Sequence, residues 1–294
     1  MDRPMEGLRP PSQRTSRRMY PEDQLTGSTG LQPGAREGYA IELRSVSKTF
    51  RLETGEQVIA VDGVSLAIRP GELVCVLGPS GQGKSTLLNL IAGFIKPSEG
   101  EVLVGGRPVT GPGPDRGVVF QRDTLFSWRR VEANIAFGLE ARGVAAAERR
   151  KTVERYLKLI DLERFAKAWP KQLSGGMRRR VAIATVFANK PDVLLMDEPF
   201  VGLDYVRRAA LHKVMLDLWQ DSGCTIFFVT HDIDEALALA DRVFVVSHGR
   251  IAFEATVDLD RPRSTEALVS ADANDLRLKI MQSIGADPLT EGEA

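Results

Sequence analysis

From residue 39 onward, apolar residues recur in two rhythms, one of short runs and one of three- and four-residue steps. Ile41 and Leu43, then Val64, Leu66 and Ile68, alternate with polar neighbours, as strands with one wet face do. Arg69-Pro70-Gly71-Glu72 reads as a turn. The runs at 73–77, 117–120, 193–196, 224–230 and 243–246 are nearly continuous, which predicts strands covered on both faces. Between them, Val153, Tyr156, Leu157 and Ile160 mark one helical stripe, and Val206, Ala210, Val214 and Leu218 another. Buried strands alternating with helices predict an α/β fold, a mainly parallel sheet with helices on both faces.

The ends of the chain break this pattern. Residues 1–38 are rich in Pro, Gly, Ser, Thr and Arg and have too few large apolar residues to offset ordering, so a disordered extension is expected. Residues 257–294 form a polar tail with a weak helical pattern around 276–284. No apolar stretch approaches the roughly 18–20 residues of a membrane span, and no apolar signal segment opens the chain. A cytosolic protein is expected, with any membrane role carried by a partner. The 39 basic and 39 acidic side chains balance, which argues against a nucleic-acid binder. Cys75 and Cys224 sit in apolar runs and read as buried thiols, not a disulfide.

The run at 73–77 leads into Gly78-Pro79-Ser80-Gly81-Gln82-Gly83-Lys84-Ser85-Thr86, the spacing of a phosphate-binding loop. A helical stripe (Leu87, Leu88, Leu90, Ile91) follows and Gly93 closes it. Glycines let backbone N–H groups turn toward phosphate oxygens, and the helix start adds its positive end. Lys84 is then the counter-charge for β- and γ-phosphates, and Ser85 a Mg²⁺ ligand.

Other strand ends carry matching chemistry. The run at 193–196 ends in Asp197-Glu198-Pro199, where Asp197 suits a metal and Glu198 suits a general base acting on water. Gln121 follows the run ending at Phe120, and His231 follows the run ending at Thr230. In an open α/β sheet, ligands collect at the carboxyl ends of strands, which puts Lys84, Gln121, Asp197, Glu198 and His231 along one edge. Gln121 is placed to sense both Mg²⁺ and the water, and His231 to bond a γ-phosphate. Each alone also reads as a satisfied polar turn residue, the better reading for a lone His, and it is their coincidence that points to a site. Leu173-Ser174-Gly175-Gly176-Met177 opens a further helix, a second anion site that one chain with one nucleotide does not need. That surplus points to a neighbour's nucleotide.

Taken in order, these motifs resemble the ATP-binding-cassette family over residues 39–256: phosphate loop, Gln121, the signature at 173–177, Asp197-Glu198, Gly202-Leu203-Asp204 and His231. The resemblance implies a P-loop ATPase with a small antiparallel sheet before the phosphate loop and an inserted helical subdomain at about 121–180. It implies two ATP molecules with Mg²⁺ held in a head-to-tail homodimer, each between the phosphate loop of one copy and Ser174, Gly175 and Gly176 of the other. Asp204 lies in the loop the family uses beside that site, and Phe50 stands where an aromatic stacks on adenine; core burial is the alternative for Phe50. The family's usual partner is a transmembrane permease, with a periplasmic or extracellular solute-binding protein indirectly, which would put the subunit on the inner face of the cell membrane.

The run Val118-Val119-Phe120-Gln121-Arg122-Asp123-Thr124-Leu125-Phe126-Ser127-Trp128, with Met177-Arg178 and Phe200, is similar to ATPases of nitrate, sulfonate and taurine importers. Arg179 stands where Gln is usual and Thr185 where Arg is usual. Leu125, Phe126 and Trp128, mixed with charges and without clean periodicity, suggest a groove for a helix of the membrane partner. An exporter or a non-transport ATPase of the same fold is the competing reading. Only one clear amphipathic helix, near residues 153–160, is expected between phosphate loop and signature.

Overall fold

The computed structural model describes residues 38–121 and 124–285. The extension expected before residue 38, Arg122, Asp123 and the end of the C-terminal tail lie outside the described residues. In chain order the strands are β1 (Ile41–Arg51), β2 (Gln57–Ile68), β3 (Leu73–Leu77), β4 (Glu99–Val104), β5 (Arg107–Pro108), β6 (Arg116–Val119), β7 (Val193–Asp197), β8 (Thr225–Val229), β9 (Arg242–Ser247) and β10 (Arg250–Thr256). The α-helices are α1 (Lys84–Ala92), α2 (Val131–Ala141), α3 (Ala146–Leu159), α4 (Gly175–Phe187), α5 (Tyr205–Ser222), α6 (Ile233–Leu239), α7 (Thr265–Leu268) and α8 (Ala271–Gly285).

Two sheets result. Strands β2-β1-β4-β5 form a four-stranded antiparallel sheet, and β10-β9-β3-β8-β7-β6 a six-stranded one that is parallel except for β10. Side-chain parity along the central strands divides the interior in two. Leu73, Cys75, Leu77, Leu194, Met196, Ile226 and Phe228 face one core with α4, α5 and α6. Val74, Val76, Val193, Leu195, Phe227 and Val229 face the other, with α1 and the antiparallel sheet. Being covered on both sides is why these strands read as unbroken apolar runs.

Four expectations need correcting. The run at 117–120 is not covered on both faces: β6 is the outer strand, only Val119 is fully buried, and Phe120 lies beyond the strand, 39 % exposed and stacked on Phe94. The buried stripe of α5 is Leu211, Met215, Leu218 and Trp219, whereas Val206, in its first turn, is 74 % exposed. Among the described residues two α-helices beyond α1, namely α2 and α3, lie between the phosphate loop and the signature, not one. A buried Asn134 interrupts the apolar spacing of α2. Its amide accepts from the Phe126 N–H at 2.8 Å and donates to the carbonyls of Arg129 and Arg130 at 3.0 Å, which pins the aperiodic loop before the helix. Finally, the helix in the tail is longer than the weak pattern at 276–284, running over Ala271–Gly285. It docks through buried Ala273 and Ile280, and Arg277 pairs with Asp234 of α6 at 2.8 Å.

Candidate functional site

Strand β3 ends at fully buried Leu77, and the chain turns at once through Gly78 at φ 146°. Glycine is required here by close packing: a Cβ on Gly78 would lie 2.1 Å from the Val246 carbonyl oxygen. Gly83, at φ 100°, is under the same constraint from the Ala60 carbonyl oxygen, also at 2.1 Å. Helix α1 then starts with Lys84, only 6 % exposed, whose ammonium donates to the carbonyls of Gly78 and Pro79, both at 2.8 Å. The loop is thus a ring closed by its own lysine, with a third N–H left for a ligand. Burial lowers the Lys84 pKa, against the pull of Glu198 and Asp197. Of the remaining loop residues, Ser80 and Gly81 are exposed, Pro79 and Thr86 are half-buried, and the Gln82 side chain accepts from the His248 N–H.

The neighbouring strand ends are laced to this loop. The Thr230 N–H donates to Val76 at 3.1 Å, and the Glu198 N–H to Val229 at 2.9 Å. Lys84, Asp197, Glu198 and His231 are therefore brought to one edge of the sheet from β3, β7 and β8. The Ser85 hydroxyl donates to Asp197 Oδ1 at 3.1 Å. Burial and then the Glu198 charge raise the Asp197 pKa, opposed by the Ser85 hydrogen bond and by Lys84. Glu198 sits at φ 45°, a left-handed conformation that costs a non-glycine residue about 1 kcal/mol or more and clusters at functional sites. His231 Nδ1 lies 3.3 Å from Glu198 Oε1. Gln121 is exposed just past β6.

Phe50 is not in the core; it lies on β1, 38 % exposed, with the Lys48 ammonium 5.2 Å from its ring centroid. Its partner on β2 is Val58, two residues from the Ala60 carbonyl that abuts Gly83, so the antiparallel sheet carries Phe50 toward the phosphate loop.

The start of α4 is built differently. Ser174 caps the helix, accepting from the Met177 N–H at 3.3 Å, and both Ser174 and Gly175 are exposed. A Cβ on Gly176 would meet nothing within 4 Å, and one on Gly175 only the Arg178 guanidinium at 3.8 Å. Among the described residues, no hydrogen bond or ion pair joins Ser174, Gly175 or Gly176 to the phosphate loop. Asp204 caps α5, accepting from the Arg207 N–H at 3.0 Å, and is likewise exposed.

Comparison with known proteins decides what this assembly is. The profile described as "ABC transporter" matches residues 61–201. A nitrate import ATP-binding protein of Synechocystis sp. is 44 % identical over 227 residues, covering 76 % of this chain and 85 % of that protein. A taurine import ATP-binding protein of Chromobacterium violaceum is 49 % identical over 195 residues, covering 66 % of this chain and 75 % of that protein. A solved ATP-binding cassette, a dimer in a post-hydrolysis state bound to ADP and Pi, superposes at TM-score 0.66 with 34 % identity, over 74 % of this chain and 98 % of that one. This chain belongs to the ABC transporter family.

It is an ABC ATPase, binding ATP with Mg²⁺ and hydrolysing it. The residues fit the ion. Ser85 and Asp197 offer a hydroxyl and a carboxylate 3.1 Å apart, the hard oxygen set Mg²⁺ takes alongside substrate phosphates. Among the described residues no cluster of three or more His, Cys, Asp or Glu offers an alternative cage. Nor is any described helix long and apolar enough to cross a membrane.

Sequence reasoning passed over two supports of the ABC ATPase site. Glu235 is buried and accepts from the Thr230 hydroxyl at 2.5 Å while contacting His212 Nε2 at 2.9 Å, which links the strand end before His231 to α5. Arg179 is 5 % exposed and donates to the carbonyls of Phe120, Gln121 and Pro199. Its signal was present in the spacing: Arg179, Ile183 and Phe187 fall four residues apart on one helical face, so the guanidinium shares the buried stripe.

Proposed function

We propose that this ABC ATPase is the nucleotide-hydrolysing subunit of an importer and works as a head-to-tail homodimer. The carrying observation is the open turn before α4: among the described residues nothing crowds its glycines, and its exposed hydroxyl makes only the local helix cap, as expected if they receive a partner copy's nucleotide. Lys84 and the N–H groups of 78–86 hold the phosphates, and Phe50 supports the adenine. Ser85 and Asp197 hold Mg²⁺, with Gln121 beside it. The ion supplies charge neutralisation at the phosphates. Glu198 takes the proton of the attacking water, and His231, already 3.3 Å from that carboxylate, holds it and the γ-phosphate in relation to each other. Asp204 borders the shared site.

The names of the nitrate and taurine import relatives support an import role, with an anion of the nitrate, sulfonate or taurine class as solute. In that role the subunit sits on the inner face of the cell membrane against a permease, and a solute-binding protein acts through the permease. Glu198→Gln tests the core of this reading. It keeps shape and MgATP binding, loses about 10²–10⁴-fold in hydrolysis, and accumulates as an ATP-bound dimer in size exclusion. Hydrolysis near the wild-type rate would falsify the base assignment.

A further inference from the structure

Arg179 makes contacts that ordinary packing does not require. Its Nη1 donates to the Phe120 carbonyl at 2.9 Å, its Nη2 to the Gln121 carbonyl at 2.8 Å, and its Nε to the Pro199 carbonyl. These carbonyls belong to two loops, one leaving β6 and one leaving β7, strands that lie side by side in the sheet. One loop opens with Phe120 and Gln121; the other begins with Glu198, directly before Pro199. A planar guanidinium with a fixed fork of donors sets the spacing among three acceptors in a way that a neutral amide or a flexible ammonium does not. With the side chain buried, each bond acts in a poorly screened setting, which stiffens the arrangement.

The same residue is anchored in α4, the helix whose first turn presents Ser174. We infer that Arg179 is a positioning residue, holding Gln121 and Glu198 in mutual register and tying both to the helix that serves the partner's nucleotide. This rests on the reading of Glu198 and Ser174 given above. A shift of the Gln121 loop when nucleotide enters would pull on the Arg179 fork, moving the Glu198 loop and the start of α4 together. Coupling of this kind travels through a rigid element with defined contacts at both ends.

Two variants of the full chain test it. Arg179→Lys keeps the charge and apolar stem but places one ammonium where three directed donors stood. Arg179→Gln is neutral, with a single amide. Binding of a fluorescent ATP analogue to the free subunit should stay within about threefold of wild type, since neither variant touches the phosphate loop. Turnover per folded molecule should fall by about tenfold or more, in keeping with the cost of misplacing reacting groups by a fraction of an ångström to an ångström. The Hill coefficient for ATP in the dimer should drop toward one, a readout that mere packing loss would not move. Arg179→Lys with wild-type turnover and cooperativity overturns the inference. So does a loss of nucleotide binding proportionate to the loss of turnover, which would make Arg179 a support of the pocket alone. Glu198→Gln assayed in parallel keeps the two readings apart: near-normal turnover there removes the base assignment, whatever the Arg179 variants do.

Discussion

The turns before α1 and α4 both present backbone N–H groups at a helix start, yet their glycines answer to different constraints. Gly78 and Gly83 have left-handed or near-forbidden backbones, and a Cβ at either would lie 2.1 Å from a carbonyl of the same chain. Lys84 closes that loop from within. Gly176 has open space where a Cβ would go, and Ser174 beside it is exposed. One turn is fully determined by its own fold; the other has a residue choice that the fold alone does not explain. Under the shared-site proposal a requirement outside the chain, a partner copy's phosphates, accounts for the second.

The largest expected effect sharpens that contrast directly. Gly83→Ala should cost about 3 kcal/mol in denaturant unfolding, with loss of nucleotide binding, because backbone must move to admit the methyl group. Gly176→Ala should change stability by less than about 1 kcal/mol, the scale of helix propensity, and leave nucleotide binding by the free subunit intact. Its deficit should appear in the ATP-dependent dimer. Equal destabilisation by both substitutions would break the comparison.

Asp197→Asn gives a smaller effect with a definite sign. The folded-state pKa of Asp197 is raised, so its contribution to stability is present below the unfolded carboxyl value and lost as pH rises through the folded one. At neutral pH without Mg²⁺ the ionised group weighs against the fold. Asp197→Asn should therefore raise the melting temperature of the nucleotide-free subunit, by an amount equivalent to less than about 1 kcal/mol, since the group is partly solvated. The gain should shrink as pH is lowered toward the carboxyl range. A lower melting temperature at neutral pH would mean that pairing with Lys84 outweighs burial. Smallest of all should be Trp128→Ala in the free subunit. At 72 % exposed, its removal should shift stability by no more than about 0.5 kcal/mol while weakening capture of the membrane partner. A large stability loss with partner capture unchanged would return Trp128 to the core.

Much of the sheet was legible because strands buried on both faces announce themselves as apolar runs, and the phosphate loop and acidic pair because their residues are contiguous. What escaped depends on the third dimension. Edge strand β6 looks like a central strand until its single neighbour is known. Helix α2 is hidden because Asn134 occupies a buried position to satisfy loop carbonyls. Val206 fits a stripe numerically but lies on the first, solvent-facing turn of α5. Arg179 stood out in the sequence as a departure without a role, because its acceptors are main-chain carbonyls 58 and 59 residues away, which no side-chain pattern encodes.

Mixing two inactive subunits tests the central claim most directly. Lys84→Ala removes the phosphate counter-charge and Ser174→Arg obstructs the open turn, so each variant alone should be nearly inactive. If ATP is hydrolysed between the phosphate loop of one copy and the α4 turn of another, a mixed dimer contains one site with both halves intact. The mixture should then recover a substantial fraction of wild-type turnover, rising with the proportion of mixed dimer. A mixture as inactive as its components would mean that each chain hydrolyses ATP with its own Ser174, contradicting the shared site.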